Sequence, residues 1–459
     1  MREKMLDIVT KLDIATKSAR RFIDAGAHQR LWNLLKSLHS ADIAALLNRL
    51  FLKERKVVIN VLYENDKEKT AEVLSELEPE DAVELLKDMQ PQDIALILQE
   101  FSSDDAVQIV EFLPEDIKTQ VLDLMRKKES EDVRELLHYE EKTAGRIMST
   151  EYYALEKNTR VADAITALQL AGDIESAFYL YVVDKDNHLE GVVSLRQLLL
   201  HPPNTQLKDI MTTDVIRVFT DTDQEEVARQ VARYNLVAIP VVDHENKLVG
   251  VVTVDDIIDV INEEATEDMY RMAGVDESDR IQYSPIKSIK KRLPFLYLSL
   301  ITASLAPFVV NFFKDTIKEA VILAVFMPLV AALGGIAGNQ TIALMVREIT
   351  LGQVSWLTAR KALFKEVAVG IGNGIAIGSV LGLISYFLYG KPILGLILGL
   401  AVIINLFIAG LLGTLIPLIL KFLRLDPALG SVNLLTMCTD TFGMLSLLGL
   451  GTLFLHYLQ

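Results

Sequence analysis

Residues 434–455 read LLTMCTDTFGMLSLLGLGTLFL, an apolar run long enough to cross a bilayer, with one carboxylate inside it, Asp440. An ionisable residue within a membrane span costs roughly 2.5–3.5 kcal/mol on insertion scales, so such groups face a protein interior or a water-filled path. On a helix, Asn433, Thr436, Asp440 and Gly443 follow steps of three, four and three and share one narrow face. A carboxylate with a hydroxyl one turn before it and a glycine one turn after it suits a hydrated cation passing close to backbone. The same residues also read as a protonated aspartic acid held in a helix contact.

Further apolar stretches cover residues 293–313, 320–346, 367–388 and 393–420, giving about five spans, each able to cross about 30 Å of hydrocarbon. One set of loops carries Lys287, Lys290, Lys291 and Arg292, then Arg347, Arg360, Lys361 and Lys365, then Lys421 and Arg424. The alternate loops carry only Lys314, Lys318 and Lys391. This bias predicts a multi-pass protein of the cell (inner) membrane, with a cytoplasmic N-terminus and an outside C-terminus. The second span contains Pro328 and the run Gly334-Gly335-Ile336-Ala337-Gly338-Asn339-Gln340, which reads as an interruption. Such a cluster permits close helix packing or exposes backbone to a water-filled cavity, and sets this span against a partner helix, the one bearing Asp440. A dinucleotide-type loop is the weaker reading, because no βαβ context surrounds it.

Charge is divided between the two halves. From Lys287 onward there are 13 Lys+Arg and 6 Asp+Glu, a net of +7. The remaining 33 basic and 56 acidic residues give the preceding part a net of −23. Such a front repels nucleic acid and attracts divalent cations. Cys438 is the only cysteine, so no intrachain disulfide forms, and the seven histidines show no zinc-ligand spacing. There is no P-loop and no catalytic constellation, so the chain reads as a non-enzyme. Asp7, Asp13 and Asp24, without a long apolar run, argue against a cleaved signal peptide.

Residues 1–138 read as an all-α superhelical domain. A short unit recurs at Ala41-Asp42-Ile43-Ala44, Glu80-Asp81-Ala82-Val83, Gln92-Asp93-Ile94-Ala95, Asp104-Asp105-Ala106-Val107 and Glu115-Asp116-Ile117. Pro79, Pro91 and Pro114, with Ser103, mark helix starts. One short helix cannot bury its own stripe, so the units are expected to stack. The acidic residues at helix starts read as caps and dipole partners, with ion-sensing ligands as the minority reading.

Two related α/β segments follow at 139–204 and 205–260. Tyr179-Leu180-Tyr181-Val182-Val183-Asp184 and Leu189-Glu190-Gly191-Val192-Val193-Ser194 match Ala238-Ile239-Pro240-Val241-Val242-Asp243 and Leu248-Val249-Gly250-Val251-Val252-Thr253. With Ile210-Met211-Thr212 at the second start, the pair resembles tandem CBS domains. That resemblance implies a cleft for ATP, another adenosine nucleotide or an ion. Thr253 and Asp256 keep a Thr-x-x-Asp pattern suited to a ribose, whereas Ser194 and Gln197 lack the acid.

Residues 261–290 read as an acidic connecting (plug) helix. Asp256, Asp259, Glu263 and Glu267 form one stripe, with Glu264 and Asp268 beside it. Like charges at i,i+4 weaken a helix by a few tenths of a kcal/mol per pair, so the stripe needs counter-charge or uses its repulsion. A solvated face is the plain reading; ion-responsive coupling into the membrane domain at 291–459 is the functional one.

Taken in order, these parts resemble the MgtE family of magnesium channels over essentially the whole chain. The carrying motifs are Glu264-Ala265-Thr266-Glu267-Asp268, Arg292-Leu293-Pro294, Gly338-Asn339-Gln340, Lys365-Glu366, Asp426-Pro427-Ala428 and Thr439-Asp440-x-x-Gly443. Ile336 departs from the asparagine common in the family. The resemblance implies a homodimer in the lipid bilayer with a pore on its two-fold axis, lined by the second and fifth spans. Paired Asp440 carboxylates would hold a largely hydrated Mg²⁺, with Ala332, Gly335, Asn339 and Thr436 lining the path. The net of −23 before Lys287 predicts that intracellular Mg²⁺ draws the acidic domains together and closes the pore, with Asp256, Asp259, Glu263, Glu264, Glu267, Asp268 and Asp426 as candidate regulatory ligands. An ion-coupled carrier of divalent cations (Mg²⁺, Co²⁺), or a CBS-containing membrane sensor without a pore, are the competing classes.

Overall fold

The structure is a computed structural model describing residues 2–170, 178–276, 279, 285–354 and 356–458, with side chains from residue 11 onward except 356 and 357. Part of the expected connecting segment 261–290 therefore lies outside the described residues. The chain forms two compact units, Met1–Ile261 and Asn262–Gln459.

After a long first helix, Arg2–Asp24, the first unit contains short helices whose stripes match the sequence repeat. Pro79–Leu86 buries Ala82, Leu85 and Leu86; Pro91–Leu98 buries Ile94, Ile97 and Leu98; Ser103–Phe112 buries Ala106, Ile109 and Val110. Each buried Leu, Ile or Val contributes about 1.5–3 kcal/mol. Two stripes close by stacking every second helix: Pro79–Leu86 on Ser103–Phe112, and Pro91–Leu98 on Glu115–Leu124. Pro79 and Pro91 occupy first helical positions. The expected caps are absent: none of these four helices has a side-chain cap bond, and the acids sit inside the first turn as dipole partners. Proline or serine ahead of the acid moves the carboxylate past the capping position.

Two three-stranded sheets complete this unit. Strands β1 (Ala154–Glu156), β2 (Tyr179–Val183) and β3 (Leu189–Ser194) form the first; β4 (Val218–Phe219), β5 (Ala238–Val242) and β6 (Leu248–Thr253) form the second. Each has a parallel then an antiparallel pairing, with a register shift at Val182/Val183 and at Val241/Val242. The halves are cross-tied. Ser149, ahead of the first sheet, bridges Val251 of β6, and Thr212, ahead of the second, bridges Val192 of β3. Met148 and Met211 pack where a side chain is missing: a Cβ on Gly250 would lie 2.6 Å from Met148 Sδ, and one on Gly191 2.6 Å from Met211 Sδ.

Helix Val254–Ala273 follows β6 directly, so the acidic helix starts inside the segment read as the second CBS repeat and crosses the division between units.

In the second unit five helices are long and apolar enough to cross a membrane: Pro285–Phe312, Ile322–Thr350, Thr358–Tyr389, Pro392–Phe422 and Ser431–Leu453. They are called the first to fifth spans below. The second, fourth and fifth share a core of Leu323, Val330, Ile397, Leu398, Leu406, Leu447 and Leu448. The third and fourth approach backbone to backbone, since a Cβ on Gly378 would lie 2.7 Å from the Gly399 carbonyl oxygen. The second span is not interrupted: its helix runs unbroken through Pro328 and the glycine cluster. Within hydrocarbon a broken ladder leaves polar groups unsatisfied, so glycines serve packing rather than a break.

Candidate ion-conduction and regulatory sites

Asp440 lies in the interior of the fifth span, half-buried, and has no hydrogen-bond or ion-pair partner among the described residues. The expected polar face is divided among different neighbours. Asn433 donates to Ser299 Oγ of the first span at 3.0 Å, and the Thr436 hydroxyl returns to the Val432 carbonyl at 2.8 Å. Gly443 is buried against Asn405 of the fourth span. Asp440 alone is left with an unengaged head.

The second span meets the fifth through Gly338 and the fourth through Gly334, and shows Gly335 to open space. A Cβ on Gly338 would lie 2.4 Å from Leu435 Cδ2, and Gly334 is closed by Asn405. Gly335 has nothing within 4 Å of its Cβ position, and Ala332 and Asn339 are exposed. These three residues follow steps of three and four, so one uncovered face runs along this helix. Ile336, also exposed, presents an apolar side chain there.

Glu366 was not singled out as a site residue, yet it is buried on the third span. Its carboxylate accepts from the Thr341 hydroxyl of the second span at 3.3 Å and pairs with Lys365 Nζ at 3.2 Å. A lone acid beside a lysine at the start of an apolar run was the available signal.

The acidic stripe splits into two environments. In the second unit, Glu267 is buried and pairs with Arg271, which also bonds Asp426 in the turn before the fifth span. Thr350 donates to Asp268 at 3.2 Å. Burial first, and the Asp426 charge second, raise the proton affinity of Asp268. Glu263 is exposed and Glu264 half-buried on the same helix. Two expected regulatory residues, Glu267 and Asp426, thus share Arg271, and a third, Asp268, feels the charge of Asp426.

In the first unit, Asp256 meets carboxylates that sequence reasoning gave to helix dipoles. Asp104 is buried, its Oδ1 has no hydrogen-bond partner among the described residues, and its proton affinity is raised by burial and then by the Asp256 and Asp105 charges. Asp256 is pushed up to about 6 by burial, with the Asp255 and Asp105 charges adding to it. Asp259 is raised by burial and by Asp255 and Glu78. The mutual charges of these carboxylates beside an unmatched buried acceptor make a negative site of the kind that attracts a hard divalent cation, while the described residues whose ligand atoms lie within 4.8 Å of one another are Asp184, Asp186 and His188. The signal missed was a doubled acid, Asp104-Asp105, following serine instead of proline.

Thr253 and Asp256, the nucleotide candidates, are engaged with each other: Thr253 Oγ1 donates to Asp256 Oδ2 at 2.6 Å. Ser194 and Gln197 form the equivalent capping box in the first repeat. Asp256 also acts by its charge on the buried Asp104.

Family comparisons converge on one assignment. The MgtE divalent cation transporter family matches residues 327–450, the MgtE intracellular N domain matches 38–142, and CBS domains match 144–203 and 207–263. The magnesium transporter MgtE of Enterococcus faecalis is 36% identical over 336 residues, covering 72% of this chain and 73% of its own. That of Thermus thermophilus is 35% identical over 328 residues, covering 71% and 73%. The solved soluble part of a magnesium transporter is 34% identical with a TM-score of 0.51, covering 55% of this chain and 99% of that one. The cytosolic domain of the Mg²⁺ channel MgtE in complex with ATP is 39% identical at a TM-score of 0.51, covering 53% and 99%. The chain belongs to the MgtE family of divalent cation transporters. It is a multi-pass membrane protein with a helical N-terminal domain and a CBS pair.

Proposed function

We propose that this chain is a Mg²⁺-selective channel, assembled as a homodimer, that carries magnesium into the cell and is shut by intracellular Mg²⁺. The observation that carries conduction is Asp440: a carboxylate inside an apolar span with no partner among the described residues, beside a helix whose Ala332, Gly335 and Asn339 face is uncovered. Mg²⁺ dehydrates reluctantly and keeps several waters, so two carboxylates around a hydrated ion suit it better than a closed protein cage. Two charges moving inward gain about 4.6 kcal/mol per 100 mV, so membrane potential suffices as the driving force.

Closure rests on the two acidic sites. Mg²⁺ bridging Asp104, Asp256 and Asp259 in one unit, and Glu267, Asp268 and Asp426 in the other, holds the connecting helix and closes the path. Monovalent ions only screen these charges, over roughly 8 Å at physiological ionic strength. A nucleotide in the CBS pair is a further regulatory ligand in this reading, supported by the repeat and by the ATP complex of the similar cytosolic domain. The N-terminus is cytoplasmic, from the basic-loop bias.

Patch recordings across a range of internal Mg²⁺ test the whole reading. Unitary currents that fall as internal Mg²⁺ reaches millimolar levels support it. Neutralising Asp256, Asp259, Glu263 and Glu267 together should leave the channel open there. Transport that requires a proton or sodium gradient identifies a coupled carrier instead, and absence of any divalent flux identifies a sensor without a pore.

A further inference from the structure

Asn405 is fully buried inside the fourth span, among the most apolar residues of the chain. Its Nδ2 donates to the Val330 carbonyl of the second span at 2.9 Å. Its Oδ1 is buried and has no hydrogen-bond partner among the described residues. Leaving such an acceptor unmatched costs about 1–3 kcal/mol, a cost that leucine of similar shape would avoid. A purely cohesive role therefore does not account for the amide.

Its surroundings supply an account. A Cβ on Gly334 of the second span would lie 2.2 Å from Asn405 Nδ2, and a Cβ on Gly443 of the fifth span 2.8 Å from the same atom. One carboxamide thus fills a notch bounded by a glycine on each helix. Gly443 is three residues beyond Asp440, nearly one turn along the same helix, and Gly334 adjoins the uncovered Gly335. We propose that Asn405 is a positioning residue: wedged between Gly334 and Gly443 and bonded to Val330, it sets the separation of the two helices beside the ion path. It thereby sets where the Asp440 carboxylate stands. This rests on the conduction reading above.

Interior packing is dense enough that one added methyl forces a shift, so the notch is sensitive in both directions. The test uses the purified full chain in liposomes, reading Mg²⁺ flux and the Mg²⁺/Ca²⁺ selectivity ratio, with thermal stability in detergent alongside. Gly443→Ala should cut Mg²⁺ flux about tenfold, and adding Asn405→Ala should recover most of it, since side chains in contact are non-additive by about that factor. Asn405→Leu keeps the shape, loses the bond to Val330, and should lower the selectivity ratio about tenfold in a folded protein, which is about 1.4 kcal/mol. If the double variant loses the product of the two single losses, or Asn405→Leu leaves selectivity unchanged, the positioning role is wrong. Should Asn405→Leu fail to fold, the Gly443 cycle still decides. Failure of the conduction reading is separate: it shows as unchanged selectivity in Asp440→Asn, while the same cycle in thermal stability still reports whether Asn405 and Gly443 are coupled.

Discussion

Asp104 and Asp256, from a repeat helix and from the start of the acidic helix, meet so closely that the charge of Asp256 raises the proton affinity of the buried Asp104. The first unit thus holds carboxylates that repel one another unless a proton or a metal intervenes.

Protons and Mg²⁺ should therefore compete at this cluster. The folded-state value of Asp256, about 6, lies above its ordinary 3.8, so between these values the folded protein binds more protons than the unfolded chain. Metal-free stability is expected to fall as pH rises through that window and to level off above it. Mg²⁺ affinity of the full chain should weaken by about tenfold or more per unit below about pH 6, because the metal must displace the protons that these carboxylates hold. Mg²⁺-dependent protection from proteolysis measures this; affinity unchanged between pH 5 and 7 would contradict it.

Arg271 is the counter-charge at the second site. Arg271→Ala leaves Glu267 and Asp426 without it. Metal-free stability should drop by about 1 kcal/mol, discounted from a fully buried pair because a third of the Arg271 side chain is exposed. Mg²⁺ should then stabilise the variant more than the parent. Thermal melts with and without Mg²⁺ check this, and equal Mg²⁺ stabilisation of both proteins would refute the assignment.

Gly250→Ala places a methyl 2.6 Å from Met148 Sδ and 2.9 Å from the Ser149 carbonyl oxygen. Denaturant titration should show a loss of about 1–3 kcal/mol from overpacking. A stability equal to that of the parent would mean that the cross-tie between the two sheets yields easily.

Much of this was legible before the structure. The 12-residue spacing of Asp81, Asp93 and Asp105 predicted stacked helices because period and apolar stripe are local properties. The CBS pair was readable from matched strands, and Asp440 from its isolation in an apolar run. The Asp104–Asp256 meeting was not legible, since it depends on how repeat helices pack against a helix 152 residues later in number. Asn405 was missed for a similar reason: its partners are glycines, whose significance lies in what fills the space they leave. The glycine cluster of the second span misled in the other direction, because glycine breaks helices in water and packs them in membranes.

The central claim is that Asp440 selects the ion. Asp440→Ala removes the charge altogether and should abolish selective Mg²⁺ uptake in a protein that stays folded. Asp440→Asn is the sharper comparison, since it keeps size and polarity and removes only charge. The decisive measurement is Mg²⁺ and monovalent flux into liposomes containing only the purified protein, under an imposed membrane potential. The account predicts potential-driven Mg²⁺ entry for the parent and loss of most selectivity over monovalent ions for Asp440→Asn. Normal Mg²⁺ flux and selectivity in Asp440→Asn would contradict it.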